Sequence, residues 1–192
     1  KVLLRYSIFE DSDAILRSTT VVNEGTETLY LEKVMSACLD MTNENYDITT
    51  LHGAWARERN LLKRHIAPGK FIVDSVAGRT SHENHPFLMV TAPGATQKQG
   101  EVYGINLVYS GNFLGCTELN HFDDLRLTLG INPEGFEWPL NPGERFDTPE
   151  AVLVYSSEGI GSMTRTFHDL YRNHLIRSVH LHKERPILIN NW

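Results

Sequence analysis

The sequence predicts a mainly β protein, an antiparallel sandwich or barrel, followed by one helix and a short apolar strand. Three observations predict it. Side chains alternate with a period of two from Arg5 to about Tyr155, turn residues punctuate that stretch at short intervals, and near residue 158 the apolar spacing changes to three and four.

The first residues, Lys1-Val2-Leu3-Leu4-Arg5-Tyr6, already read as a strand. Further along, Leu125, Leu127 and Leu129 alternate with Arg126 and Thr128, and Tyr103, Ile105, Leu107 and Tyr109 share one side of another run. Half-buried strands produce this pattern because successive side chains point to opposite faces. Between the runs stand Asn23-Glu24-Gly25, Pro68-Gly69, Pro93-Gly94, Ser110-Gly111-Asn112, Asn132-Pro133-Glu134-Gly135 and Asn141-Pro142-Gly143. Each supplies a positive φ or a fixed proline φ, as turns require. Many strands so divided imply a sandwich or a barrel.

Met163, Phe167, Leu170, Tyr171, His174 and Leu175 then form a helical stripe, with Ser162 placed to cap it. After a polar, histidine-rich stretch from Ser178 to Arg185, the apolar run Pro186-Ile187-Leu188-Ile189 reads as a strand buried on both faces. Both ends read as cuts within a longer protein.

Composition narrows the function. At 192 residues, 41% hydrophobic and 22% charged, the chain is an ordinary globular one. A formal charge of -6 excludes a nucleic-acid partner, which requires clustered Lys and Arg. No run approaches the roughly 18 apolar residues of a membrane-spanning helix, so no membrane partner is expected. The two cysteines, Cys38 and Cys116, lack CxxC spacing and read as buried small apolar residues.

Chemistry-bearing residues are sparse. Asp11, Asp13, Glu118, Asp123, Asp124 and Glu144 read as solvated loop carboxylates rather than a glycosidase pair. Among nine histidines, His82 with His85 and His180 with His182 are close in sequence, but no set of three or four ligands has metal spacing. No metal or cofactor is expected, since phosphate-cradling glycine loops are also missing; Ser156 to Gly161 resembles one only superficially. Ser75, Ser81 and Ser110 lie near histidines, without any spacing that pairs nucleophile and base.

The tryptophans say more, because indole rings stack on the C–H faces of sugars. Trp55 follows Leu51-His52-Gly53-Ala54, Trp138 sits in Phe136-Glu137-Trp138-Pro139, and Trp192 ends the apolar strand after Asn190 and Asn191. Trp138 reads as core packing. Trp192 stands at the carboxyl end of a strand, where active sites of barrels collect.

Taken together, several ordered segments resemble the family 36 glycoside hydrolases, chiefly α-galactosidases. They are Leu51-His52-Gly53-Ala54-Trp55 with Glu58, Ser81-His82 leading to Pro86-Phe87, Val102-Tyr103-Gly104, Leu107 to Phe113, and Gly130-Ile131. Phe146 to Glu150, Phe167 to Arg172 and Arg185 to Trp192 continue the series, which spans nearly the whole chain. One departure is His85 directly before Pro86-Phe87, where relatives carry asparagine; here Asn84 stands one place earlier.

The resemblance implies an antiparallel β-supersandwich over 1–157, truncated at its N-terminus. A linker helix and connection over 158–184 and the first strand of a (β/α)8 barrel over 185–192 would follow. It implies a retaining α-galactosidase acting on melibiose- and raffinose-type oligosaccharides, whose catalytic aspartates lie on later barrel strands, so no catalytic residue maps here. Trp192 and Trp55 are the implied substrate-binding residues. A cytoplasmic location and a homo-oligomer, tetramer or dimer, are implied for the full-length protein. The alternative is a non-catalytic carbohydrate-binding or assembly module.

Overall fold

The computed structural model describes residues 1–179 and 181–191. Fourteen strands precede one helix: β1 (Val2–Ile8), β2 (Ala14–Val22), β3 (Leu29–Leu31), β4 (Met35–Thr42), β5 (Asp47–Ala54), β6 (Arg57–His65) and β7 (Gly69–Asp74). Then come β8 (Asn84–Thr91), β9 (Val102–Leu107), β10 (Phe113–Leu119), β11 (Asp124–Ile131), β12 (Trp138–Leu140), β13 (Arg145–Asp147), β14 (Ala151–Ser156), α1 (Ile160–Leu170) and a π turn (Tyr171–Leu175).

The larger sheet runs β1-β2-β14-β9-β8-β5-β6, with β13 also on β2, and the smaller runs β4-β11-β10-β7. Every pairing between these strands is antiparallel, as the hairpin-rich sequence requires. The two sheets bury Ile48, Leu88, Val90, Ile105 and Leu107 against Phe113, Leu125, Leu127 and Leu129, so the sandwich alternative holds. The other face of the larger sheet buries Met89, Val102, Val152 and Val154 under Met163, Phe167 and Leu170 of α1.

Edges are treated differently. Strand β6 carries Arg57, Arg59, Lys63 and Arg64, charges that oppose pairing with another chain. Pro86, in the interior strand β8, falls where the β5–β8 register shifts, a place where a missing ladder donor costs little.

Four expectations are corrected. Ser162 does not cap α1; Gly159 does, at φ +84, without any side-chain bond. The helix's first N–H groups instead meet the loop after β8, Ile160 N donating to Thr96 O at 3.0 Å and Gly161 N to Gln97 O at 3.0 Å. Cys38 is exposed and Cys116 half-buried. They flank Thr128 across three strands on the outer face of the smaller sheet, roughly 10 Å apart and beyond disulfide reach. Trp138 is 47% exposed rather than core: in the two-stranded ribbon of β12 and β3 the buried position is Leu140, at 0% exposure, and not Trp138. Its ring packs on Phe146, centroids 5.3 Å apart.

The fourth concerns the helical stripe. Met163, Phe167 and Leu170 are buried, but Leu175 is exposed because the π turn breaks the 3.6-residue period. The run Pro186 to Ile189 follows the helix in the expected place. Ile187, Leu188 and Ile189 are exposed, and neither sheet of the chain lies beside them among the described residues.

Candidate functional site: the Trp55 hairpin

Strands β5 and β6 are joined by Trp55 and Ala56, with Ala56 at φ +60. The ladder slips between His52 and Ala54, a bulge that twists the tip. Gly53 sits at the slip for a steric reason. A Cβ there would lie 2.5 Å from Arg57 O, 2.7 Å from Glu58 Cα and 2.9 Å from His82 O. The hairpin root is thus pressed against the loop before β8 through backbone alone.

That loop is laced down. Gly53 N donates to Glu83 O at 2.8 Å, and Ser81 Oγ accepts from the N–H groups of Glu83 at 3.1 Å and Asn84 at 3.3 Å. The Asn84 side chain donates to Asp74 O at 2.9 Å, while its Oδ1 faces His52 Nδ1 at 3.3 Å. Ser75 Oγ donates to Arg79 O at 2.6 Å, Gly78 N to Asn112 Oδ1 at 2.7 Å, and Thr80 N to Ser110 O at 2.8 Å. The buried Asn132 side chain reaches Ser75 O and Phe113 O at 3.2 and 3.3 Å. Three connections therefore knit into one platform at this end of the sandwich. The hydroxyls of Ser75 and Ser81 are spent on backbone groups, which leaves the serine–histidine reading unsupported.

From this platform Trp55 projects with 81% of its surface open. A large indole held in water on a two-residue tip suits contact with a flat apolar ligand face. Behind the hairpin, Leu51, Arg59, His85, Phe87, Met163 and Phe167 line a cleft of about 450 Å³ between the sheet and α1. Burial pushes the His85 imidazole below its ordinary pKa, and the Arg59 charge adds to the effect. Its Nε2 is buried without a hydrogen-bond partner. In this loop Asn84 makes the polar contacts, while His85 lines the cleft.

Trp192 and His180 lie outside the described residues. Trp55 is therefore the implied substrate-binding residue that the structure places. The lacing around it was missed by sequence reasoning. The signal was the density of Asn, Ser and Gly in Ser75–Asn84 and Ser110–Asn112, residue types that bond backbone in turns.

The family model described as glycosyl hydrolase family 36 N-terminal domain matches residues 1–141, and the Melibiase model matches residues 145–192. The α-galactosidase AgaA of Geobacillus stearothermophilus is 44% identical over 192 residues, 100% of this chain and 26% of its own. α-Galactosidase 2 of Hypocrea jecorina is 42% identical over 189 residues, 98% of this chain and 25% of its own. Among solved structures, an AgaA variant in complex with stachyose superposes with a TM-score of 0.96 at 44% identity, over 100% of this chain and 27% of that one. The α-galactosidase from Lactobacillus brevis superposes at 0.96 and 41%, over 100% and 26%. A further AgaA variant was solved with raffinose. The chain spans about a quarter of the length of the relatives it matches.

Proposed function

The chain belongs to glycosyl hydrolase family 36, and from that premise we propose that it is the part of a retaining α-galactosidase lying ahead of the catalytic barrel. The observation that carries the proposal is the succession of two family models along one chain, the sandwich domain running directly into Melibiase. Terminal, non-reducing α-galactosides of the raffinose and melibiose type are the proposed substrates, following the sugars bound by a similar enzyme.

Retaining hydrolysis needs a nucleophilic carboxylate and a carboxylic acid about 5 to 5.5 Å apart, the acid with a raised pKa. The fold moves three carboxyls the other way. Arg126 holds Asp40 below the usual carboxylate range, Lys63 with His65 does so for Asp47, and the Thr20 hydroxyl with Arg145 for Asp147. A carboxylate kept charged has no proton for a leaving group. We assign the chain no catalytic residue. Its proposed contribution is to shape the sugar pocket through Trp55 and Trp192 and to supply contacts in a homo-oligomer. Two free cysteines accord with the proposed cytoplasmic setting, where thiols stay reduced.

Assay of the isolated chain on an aryl α-galactoside tests this reading: no turnover is expected, and clear turnover would contradict it. The exposure of Trp55 also favours a second reading, an independent carbohydrate-binding module. Heat on titration with melibiose or raffinose would favour that reading, and its absence would remove it.

A further inference from the structure

Helix α1 ends by widening. Ile176 N donates to Tyr171 O at 2.9 Å, closing a π turn beyond which the chain becomes extended at ψ 117. The extra residue in this turn rotates the following side chains by roughly 100°, off the buried stripe of α1.

The rotation delivers two contacts. The Tyr171 hydroxyl donates to Asn106 Oδ1 on β9 at 2.5 Å. Three residues later, His174 lies against Phe9, ring centroids 4.4 Å apart, with Nε2 3.2 Å from Asp11 Oδ2. Phe9 and Asp11 belong to the connection between β1 and β2, so the end of α1 is tied both to a central strand and to the sheet's edge hairpin.

The two ties respond differently to pH. Burial raises the Tyr171 phenol far above its ordinary value, so that tie is constant through the neutral range. Histidine changes charge between about pH 5 and 8. A neutral ring offers Asp11 one ordinary hydrogen bond, whereas an imidazolium adds a charge-assisted bond to the carboxylate and a cation beside the Phe9 ring. The other charged groups around this tie are Glu150 and Arg177 on the same cleft and Glu10 and Asp13 flanking Asp11 in the turn.

We propose that the π turn is a two-point latch, with Tyr171–Asn106 holding always and His174–Asp11 holding more tightly when the imidazole is charged, so that the chain's exit from the sheet at Ile176 loosens as pH rises. The latch is independent of what the chain does when joined to a barrel.

Hydrogen exchange of the chain, read on peptides spanning 171–177 and corrected for intrinsic rates, tests it. Protection is expected to fall about threefold between about pH 5.5 and 7.5, the size a solvent-screened pair allows, while peptides from β9 stay constant. Asp11→Asn is expected to abolish the pH dependence. Tyr171→Phe is expected to lower protection at both pH values and keep the dependence. Flat protection in the unmodified chain, or an unchanged dependence in Asp11→Asn, overturns the proposal.

Discussion

Gly53 and Glu83 are joined by a 2.8 Å backbone hydrogen bond that fixes the root of the Trp55 hairpin to the neighbouring loop. The bond exists because Gly53 lacks a Cβ, which would meet three backbone atoms closer than 3.0 Å. Gly53→Ala must therefore push the two segments apart. A loss of about 1 to 3 kcal/mol is expected, the cost of forced overpacking, read as a lower urea midpoint with unchanged slope.

Phe167 is buried under α1, edge-on to Phe87 with centroids 5.7 Å apart, and its ring fills the space a side chain at residue 104 would need. Phe167→Ala is expected to cost about 3 to 5 kcal/mol and to release α1 before the sandwich melts. Loss of helical circular dichroism below the main thermal transition would register it.

Acid should weaken the fold through Asp47, which Lys63 meets at 2.8 Å and His65 at 3.2 Å. Its folded pKa is lowered, so its contribution is complete above the unfolded value of about 3.9 and vanishes as pH falls through the folded value. Asp47→Asn is expected to lose about 0.5 to 1 kcal/mol at pH 7 and to converge with the parent chain as pH falls through the lowered folded value of Asp47. Urea midpoints across that range provide the comparison.

Much of the fold was legible in the sequence because burial imposes simple periods. Leu125, Leu127 and Leu129 alternate and lie at 0 to 1% exposure between the sheets. The misreadings share a cause, in that each depended on what covers a residue rather than on the residue. Trp138 and Cys38 have core-like side chains, but one stands on an exposed position of the β12 ribbon and the other on the outer face of a sheet. Ser162 has the right chemistry for a cap, yet the loop after β8 already supplies the carbonyls. At the candidate site, the motif in the sequence singles out Trp55, and the structure shows only that it is exposed. The lacing that presents it joins residues as distant as Asn132 and Ser75, which no local period records.

The Trp55 assignment is tested most directly by steady-state kinetics of the full-length enzyme carrying Trp55→Ala. With 81% of the residue open, its removal is expected to change the stability of the isolated chain by no more than the roughly 0.5 kcal/mol typical of surface changes. The expected result is a fall in kcat/KM for raffinose of about tenfold, the loss of one aromatic stacking contact. An unchanged kcat/KM in a variant that assembles normally would contradict it.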